Sequence, residues 1–433
     1  MRVENPAQVR VGVLGCGNVG GALVRLLTAE APDLAARTGL DLEVVQVAVR
    51  NLGKQRLAEL PEERLTHDAE AVVTSPGVDV VVEVIGGVEP ARGLVVAALK
   101  SGKPVVTANK ELIANVGAEL FEAAAAAGVD LLYEAAVAGG IPLIRLLRES
   151  LAGERITRVT GIVNGTTNYI LTRMTEEGAT YAEALGEAQG LGYAERDPTA
   201  DVEGFDASAK AAIVASIAFG VKVVAGDVYR EGISGVSADD IAVARRLGYV
   251  IKLLAVAERS GDEVSVRVHP AMVPDAHPLA AVRDSFNAIF IEGEAVGELM
   301  LYGRGAGGMP TASAVLGDLI DAAHNLRAGG SGRTATLGRA AVRPIDELVS
   351  EYYLNIDVVD RPGVLATVAT VFGEHAVSIR SMEQEGLGEE ARLVFITHDA
   401  RERDVQSTLH DLRQLDVVKR IGSLLRVLGP SLT

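Results

Sequence analysis

The chain has very few of the residues that build crosslinks, metal centres and membrane anchors. Cys16 is the single cysteine in 433 residues, which excludes a disulfide within the chain and a cysteine-based zinc site. The seven histidines show no HxxxH spacing, so a transition-metal enzyme is disfavoured. No apolar run is long enough to cross a bilayer, and no signal-peptide pattern opens the chain. We therefore expect a cytoplasmic protein with no membrane partner.

Basic residues are also in short supply. Lys and Arg number 41 against 58 Asp and Glu, which gives a formal net charge of -17. Because binding of a phosphate backbone needs clustered Lys and Arg, this balance predicts small-molecule partners and no nucleic acid. The length suits about three domains, each with ample core.

The first domain, assigned to residues 1–140, opens on a strand, a glycine turn and a helix. The apolar run from Val9 to Leu14 precedes GCGNVG, and the helical run GALVRLLTAE follows. This order fits a dinucleotide-binding turn, where a helix N-terminus meets the pyrophosphate. Four more apolar strands alternate with helical segments, which predicts a doubly wound, Rossmann-type α/β sheet. The candidate cofactor-binding residues of the turn are Gly15, Gly17, Asn18, Val19 and Gly20.

The residues after the second strand bear on the choice of cofactor. An acidic residue there holds the NAD ribose, whereas an arginine can accept the 2′-phosphate of NADP. This strand ends at Arg50, with Lys54 and Arg56 close behind, so NADP is favoured over NAD. The alternative is a solvated basic turn without any role in selectivity.

Further candidates lie at the carboxyl ends of the later strands, where ligands bind in open α/β sheets. Thr107 and Lys110 belong to the run TANK at the fourth strand. Lys110 is either a surface residue or functional, and its place at the start of a helix is unfavourable for the helix dipole. A helix at about 309–325 is expected to pack back onto the first domain and bring Gly308 close to the cofactor.

The second domain, assigned to residues 141–308, contains the most unusual stretch. Five acidic residues crowd the Gly/Pro-punctuated run GLGYAERDPTADVEGFDASAK, which leads into an apolar helix. Asp206 and Lys210 are the only charged residues of that helix, and their i,i+4 spacing predicts an ion pair. A surface salt bridge is the simpler interpretation. Because the helix has almost no solvated face, we expect the pair to be buried and functional.

The remaining segments complete the domain plan. A strand runs into a helix through Asn164-Gly165-Thr166-Thr167, where we expect a threonine as the N-cap. Alternating runs then predict an antiparallel or mixed sheet. Residues 326–350 are Gly- and Arg-rich and read as a linker, and residues 351–433 follow a βαββαβ, ferredoxin-like order.

Several motifs occur together and in a fixed order. GCGNVG is followed by TANK, EAAVAGGIP, NGTTNYIL, the acidic run ending in FDASAK, and GRGAGGMPTASAV. With these motifs the chain resembles, over essentially its whole length, the monofunctional homoserine dehydrogenases that carry a C-terminal ACT domain, and DRPGVL looks like the start of that domain. The resemblance implies reversible, NAD(P)-dependent reduction of L-aspartate 4-semialdehyde to L-homoserine in threonine and methionine synthesis.

The resemblance also implies roles for individual residues. Lys210 is the implied proton donor, and Lys110 is a second lysine at the reacting oxygen. The implied substrate-binding residues are Glu195, Asp206, Asp201, Tyr193 and Thr166. A monovalent cation such as Na⁺ is implied at Glu134, with the main-chain carbonyls of Val137, Gly139 and Ile141. Some members with basic residues after the second strand bind NADP without turning it over well, so NAD remains possible as the productive cofactor.

Three alternatives stay open at this stage. In the first, the chain is a different NADP enzyme on a related two-domain plan, which the substrate-loop motifs argue against. In the second, it is a non-catalytic sensor that binds NADP and an amino acid. A sensor has no reason to keep the pair Asp206/Lys210. The ACT-like segment either binds threonine as a feedback effector or only supports assembly, and a homodimer or homotetramer is expected.

Overall fold

The fold is known from a computed structural model, which describes residues 6–53, 60–332, 337–386 and 388–429. Lys54 and Arg56, the two basic residues predicted to follow Arg50 near the cofactor, lie outside these ranges. The helices within the described ranges are all too short or too polar to cross a membrane. The described chain forms a parallel sheet with helices, a mixed sheet with helices, and a C-terminal βαββαβ unit. This architecture confirms the predicted α/β class.

The first sheet has six parallel strands. They are β1 (Ala7–Leu14), β2 (Leu40–Ala48), β3 (Leu65–Thr66), β4 (Val80–Glu83), β5 (Val105–Thr107) and β6 (Leu131–Leu132). The helices between them are α1 (Asn18–Ala29), α2 (Ala31–Thr38), α3 (Ala69–Thr74), α4 (Ala91–Lys100) and α5 (Lys110–Ala127). The spatial order is β3-β2-β1-β4-β5-β6. The order reverses between β1 and β4, and ligands of such sheets bind beyond the carboxyl ends of the strands at that point.

The middle of the chain builds a mixed sheet packed on helices. Its strands are β7 (Ile156–Ile162), β8 (Tyr229–Arg230), β9 (Tyr249–Ser260), β10 (Glu263–Pro274), β11 (Phe286–Gly293) and β12 (Gly297–Arg304). Its helices are α6 (Gly165–Glu177), α7 (Tyr181–Gly190), α8 (Thr199–Val202), α9 (Phe205–Phe219), α10 (Ala238–Arg246) and α11 (Gly308–Arg327). The apolar helix α9 is buried along most of its length, packed on β9, β10 and α5.

Helix α11 returns to the first sheet. Ala312, Val315 and Leu319 are fully buried in the same apolar cluster as β1 and α1. This packing places the N-terminus of α11 beside that of α1, because a Cβ built at Gly308 would lie 3.0 Å from the carbonyl oxygen of Asn18. Two helix N-termini therefore meet at the glycine turn.

The C-terminal unit joins the mixed sheet instead of standing apart from it. It consists of β13 (Ala341–Val342), β14 (Val349–Val359), α12 (Val364–Glu374), β15 (Ile379–Gly386), β16 (Glu390–Thr397), β17 (Ala400–Arg401), α13 (Glu402–Leu412) and β18 (Val418–Val427). The strand order β12-β11-β7-β9-β10-β18-β14-β16-β15 makes one continuous sheet.

Strand β10 is where the two halves of this sheet meet. Its outer edge pairs in parallel with β13 at residues 263–264, with β8 at residues 267–268 and with β18 at residues 271–272. Three short pieces from different parts of the chain thus cover one long edge. The segment 326–350, predicted as a linker, supplies β13 and the start of β14 in its described part.

Candidate active site

A buried carboxylate holds two lysines at the junction of the first two domains. Asp206 Oδ2 accepts a hydrogen bond from Lys210 Nζ at 2.7 Å, and its Oδ1 lies 3.0 Å from Lys110 Nζ. The side chains of Asp206 and Lys210 are 10% and 11% exposed, and that of Lys110 is 38% exposed. The ion pair predicted from the i,i+4 spacing is therefore present and largely buried, and a second lysine completes it.

The loop before α6 fixes the far side of this cluster. Asn164 donates through Nδ2 to Asp201 at 2.7 Å and to Asp206 at 2.9 Å, and the Val163 carbonyl accepts from Lys210 Nζ at 2.8 Å. The Oδ1 atom of Asn164 accepts from the Thr167 main-chain N–H at 2.9 Å. The prediction of a threonine N-cap was wrong, since Asn164 caps α6 and uses its amide to align two acids.

The charges of the cluster act on one another. Burial opposes ionisation of Asp206, but Lys210 and Lys110 more than offset it and hold the pKa of its carboxyl well below the usual range. The charge of Asp206 raises the pKa of Lys110 against the effect of burial. Burial raises the pKa of the Asp201 carboxyl, while the hydrogen bond from Asn164 opposes that shift. Asp206 is thus the fixed negative charge between two ammonium groups.

Lys110 is positioned by a hydrogen-bonding hub centred on Glu83, which the sequence did not predict. It is the first residue of α5, and the N-cap is Asn109, whose side chain accepts from Leu112 N. Asn109 Nδ2 donates to the Gly87 carbonyl at 2.7 Å, and Thr107 Oγ1 donates to Glu83 Oε2 at 2.6 Å. Glu83 is fully buried at the end of β4.

The other oxygen of Glu83 faces the loop after β4. Glu83 Oε1 accepts from the main-chain N–H groups of Ile85 at 2.8 Å and Gly86 at 3.3 Å. The same loop touches the glycine turn, because a Cβ built at Gly15 would lie 2.9 Å from the Val84 carbonyl oxygen. Glu83 therefore connects the glycine turn with the start of α5. An acid in the middle of the apolar run VVVEVI was the signal available in the sequence.

The glycine turn has the shape that a dinucleotide requires. Gly15 adopts φ +101°, and a Cβ at Gly20 would lie 2.2 Å from the Gly15 carbonyl oxygen, so α1 packs on the turn only with glycine at both positions. A Cβ at Gly17 would meet no protein atom within 4 Å. The protein itself leaves that position open, which fits a ligand approaching the backbone at the start of α1, between Asn18, Val19 and Gly308.

The remaining substrate candidates differ in how closely they join the cluster. Thr166 Oγ1 donates to the Tyr193 carbonyl at 2.6 Å, and the ring of Tyr193 lies 5.0 Å from that of Tyr169. Tyr193 is 43% exposed. Glu195 is exposed, and its main-chain carbonyl accepts from Gln189 at 3.1 Å. The structure brings Asp201 and Asp206 together, whereas Glu195 remains on the surface of the loop. Arg50 is exposed beyond β2.

Glu134 lies in a short turn after β6 and not at the end of a strand. Its carboxylate accepts from the main-chain N–H groups of Ile144 at 2.8 Å and Arg145 at 2.7 Å, and burial raises its pKa. The Ile141 carbonyl accepts from Leu143 N at 2.9 Å. A carboxylate and main-chain carbonyls are oxygen ligands suited to a hard cation. In the described part of the chain, no three His, Cys, Asp or Glu side chains form a metal-binding group.

Family models cover most of the chain. The model described as "Homoserine dehydrogenase" matches residues 142–320, the model described as "Homoserine dehydrogenase, NAD binding domain" matches residues 15–134, and that of the ACT domain matches residues 352–417.

Curated relatives and solved structures agree with these models. The homoserine dehydrogenase of Corynebacterium glutamicum is 52% identical, over 97% of this chain and 95% of that protein. That of Mycobacterium tuberculosis is 51% identical, over 98% of each. A crystal structure of the Thiobacillus denitrificans homoserine dehydrogenase superposes with a TM-score of 0.93 at 41% identity, covering 98% of this chain and 99% of that one. A hyperthermophilic archaeal homoserine dehydrogenase in complex with NADPH matches at a TM-score of 0.62 and 30% identity, covering 73% of this chain and 98% of that one.

Proposed function

The chain belongs to the homoserine dehydrogenase family, a nicotinamide-dependent oxidoreductase family with a role in amino-acid biosynthesis, and from that premise we propose how this protein works. It reversibly reduces L-aspartate 4-semialdehyde to L-homoserine in the synthesis of threonine and methionine, with Lys210 as the general acid and base. The observation that carries this proposal is the buried carboxylate of Asp206, held between the ammonium groups of Lys110 and Lys210.

The two lysines have separate tasks. When bound, the reduced nicotinamide supplies a hydride to the aldehyde carbon. Lys210 donates a proton from Nζ to the aldehyde oxygen as the alcohol forms, and it takes that proton back in the reverse direction. Lys110 stabilises the negative charge that develops on the same oxygen. Asp206 holds both Nζ atoms by hydrogen bond or ion pair, so the groups need little reorganisation when the substrate arrives.

The substrate amino group needs negative partners. Asp201 lies beside Asp206 through their shared donor, Asn164, and these acids with Glu195 form the ammonium-binding side. Tyr193 and Thr166 belong to the same side of the site, because the Thr166 hydroxyl donates to the Tyr193 main-chain carbonyl.

The glycine turn holds the pyrophosphate of the cofactor. The open position at Gly17 and the paired starts of α1 and α11 support this assignment for Gly15, Gly17, Asn18, Val19, Gly20 and Gly308. Arg50 favours NADP, and an archaeal relative is known in complex with NADPH. Thr107 orders the nearby end of β5 through its bond to Glu83. Glu134, with the carbonyls of Val137, Gly139 and Ile141, holds a monovalent cation such as Na⁺.

The experiment that tests the reaction compares wild type with Lys210→Ala. Oxidation of NADPH and NADH is followed in parallel with L-aspartate 4-semialdehyde as substrate. Loss of a general acid predicts a fall in kcat of about 10²–10⁴, with cofactor binding retained. The control is Lys222→Ala, because Lys222 is exposed. Lys252 does not serve as a control, because it is a buried structural lysine. Turnover in Lys210→Ala within a few-fold of wild type would contradict the assignment.

The ACT domain gives the enzyme feedback by threonine, and the enzyme assembles as a homodimer or homotetramer. The edge strand β12 supports assembly, because Met300 and Tyr302 are 36% and 56% exposed along it. Titration of L-threonine during turnover tests the regulation, and absence of inhibition at millimolar excess argues against it. Sedimentation at several protein concentrations tests the assembly, and a monomer at all of them contradicts it.

A further inference from the structure

The short helix α8 is held from outside by the three residues that follow β8. This 231–233 segment runs beside β10, where the Glu231 N–H donates to the Val268 carbonyl at 2.8 Å. Two residues later, the Ile233 N–H donates to the carbonyl of Val202, the last residue of α8, also at 2.8 Å. Main-chain hydrogen bonds therefore join the segment to the mixed sheet on one side and to the end of α8 on the other.

Gly232 is the point of closest approach between this segment and α8. A Cβ built there would lie 2.4 Å from the Val202 carbonyl oxygen and 2.7 Å from Glu203 Cα. Because both are main-chain atoms, they cannot turn aside as a flexible side chain can, and any larger residue displaces the end of α8. A Cβ at Gly235 would meet no atom of the described chain within 4 Å. The close packing is therefore a property of Gly232 and not of the whole stretch.

The end of α8 carries one acid of the candidate active site. Asp201 directly precedes Val202, and its carboxylate accepts from Asn164 Nδ2 at 2.7 Å. Helix α8 has only four residues, whereas α9, which carries Asp206 and Lys210, has fifteen and is buried along most of its length. A displacement at the end of α8 should therefore move Asp201 more than it moves the pair on α9.

Glu231 anchors the segment to the C-terminal unit. Its Oε1 atom accepts from Arg426 Nη2 of β18 at 3.0 Å and from the Tyr229 hydroxyl. Arg426 is 2% exposed and also pairs with Glu402 at 2.8 Å. Charge-assisted hydrogen bonds are stronger than neutral ones, so this arginine fixes the start of the segment from the side opposite to α8.

We propose that Gly232 is a positioning residue for substrate recognition. Its contact with the end of α8 sets the place of the Asp201 carboxylate, and Glu231 anchors the segment that makes this contact. The inference rests on the proposed function, in which Asp201 helps to bind the substrate ammonium, and it adds a residue outside the site on which that binding depends. Because the two lysines at the reacting oxygen lie on α5 and α9, a shift of α8 weakens substrate binding more than it slows the chemical step.

The test measures kcat and the KM for L-homoserine during its oxidation by the full-length protein, together with the Kd for NADPH. We expect Gly232→Ala to raise the KM for L-homoserine about tenfold or more, with kcat within about threefold of wild type and the Kd for NADPH unchanged. Gly235→Ala is the matched control, because it adds the same methyl group to the same stretch without a contact, and it should behave as wild type. Glu231→Gln removes the charge that faces Arg426 and should raise the KM about threefold.

The variant Asp201→Asn separates this inference from the proposed function. If Gly232 acts through Asp201, adding Gly232→Ala to Asp201→Asn leaves the KM where Asp201→Asn alone has put it, whereas an unrelated structural defect adds its full effect. An unchanged KM in Asp201→Asn contradicts the proposed role of Asp201 and the inference with it.

A raised KM in Asp201→Asn, combined with a wild-type KM in Gly232→Ala or with additive effects in the double variant, overturns the inference on Gly232 alone. A wild-type KM in Glu231→Gln overturns the anchoring by Glu231. Circular dichroism and NADPH binding show whether Gly232→Ala folds. If it does not, Glu231→Gln takes its place in the double variant, and additivity with Asp201→Asn again overturns the inference.

Discussion

Replacing Asp206 by Asn is the most informative single change in this protein. Asparagine keeps the shape of the side chain and one acceptor oxygen, and Asn164 Nδ2 can still donate to it. The substitution removes the negative charge that lies 2.7 Å from Lys210 Nζ and 3.0 Å from Lys110 Nζ, and it turns one of the two acceptor oxygens into an NH2 donor. Its effects therefore report what that charge does.

The geometry sets the size of the expected loss of stability. Removing one partner of a buried ion pair costs about 3–5 kcal/mol, because the other charge stays buried without compensation. The Lys210 pair is of this kind, with both side chains about nine-tenths buried. The contact with Lys110 adds at most about 1 kcal/mol, because that lysine is 38% exposed and screened by solvent. We expect Asp206→Asn to lose about 3 kcal/mol or more of unfolding free energy at neutral pH.

The same substitution predicts a pH dependence. The pKa of Asp206 is lower in the folded than in the unfolded protein, so its contribution is present above the unfolded value of about 4. It is lost as the pH falls from there through the folded value. The difference in stability between wild type and Asp206→Asn should accordingly be constant from pH 7 to about 5 and shrink at lower pH.

Activity gives the second measurement. Without the Asp206 carboxylate, Lys110 loses its ion pair and Lys210 keeps only its bond to the Val163 carbonyl among the contacts described. If the two lysines act as proposed, we expect kcat to fall by about 10² or more. Asp197→Asn is the control, since Asp197 is an exposed acid just before α8 that bonds only to Thr199, among the contacts seen in the structure. Urea unfolding followed by circular dichroism and NADPH oxidation are measured on both variants. A variant Asp206→Asn with kcat within threefold of wild type would refute the reasoning.

Three further predictions concern the glycine turn, Glu83, and Asp318 of α11, whose carboxylate accepts from the Glu134 main-chain N–H at 2.7 Å. Gly20→Ala should lose about 1–3 kcal/mol of stability, because its Cβ would lie 2.2 Å from a main-chain oxygen, whereas Gly17→Ala should keep its stability and raise the KM for NADPH about tenfold. Equal effects on stability would contradict this contrast. Glu83→Gln should lower the urea midpoint and weaken NADPH binding, since charge-assisted bonds worth about 1.5–3 kcal/mol are lost; unchanged binding would argue against the hub. Burial raises the pKa of Asp318 to about 7, so the unfolding free energy of wild type should fall between pH 4 and 8 as this carboxyl ionises. The unfolding free energy of Asp318→Asn should fall less over the same range, and parallel pH profiles of the two proteins would contradict this prediction.

The sequence predicted those parts of the site that depend on local spacing. The i,i+4 positions of Asp206 and Lys210 lie on one face of any helix, and the structure has the pair at 2.7 Å. The glycine turn followed by a helix likewise needs only neighbouring residues. Lys110 was named from its place at the carboxyl end of the fourth strand, and its role came from the family resemblance. Its approach to Asp206 was not predicted, because that contact depends on how two domains pack.

Long-range contacts account for what the sequence did not predict. Glu83 becomes a hub only because β4 and β5 are neighbours and place Thr107 beside it. Asn164 was passed over as a cap in favour of threonine, although its side chain can cap α6 and bridge two acids at once. The pairing of β18 with β10 joins segments far apart in the chain, and no periodicity within either strand specifies that partner.

The covered edge of β10 limits how this protein can be truncated or divided into separate domains. Shortening the chain after α11 would remove β13 and β18 together, and would leave the edge of β10 covered only by β8 at residues 267–268. A long strand with free N–H and C=O groups is a template for association with other chains. The ACT domain therefore also covers an edge of the mixed sheet, and exchanging it for a foreign domain requires that the replacement bring its own strand to the same edge.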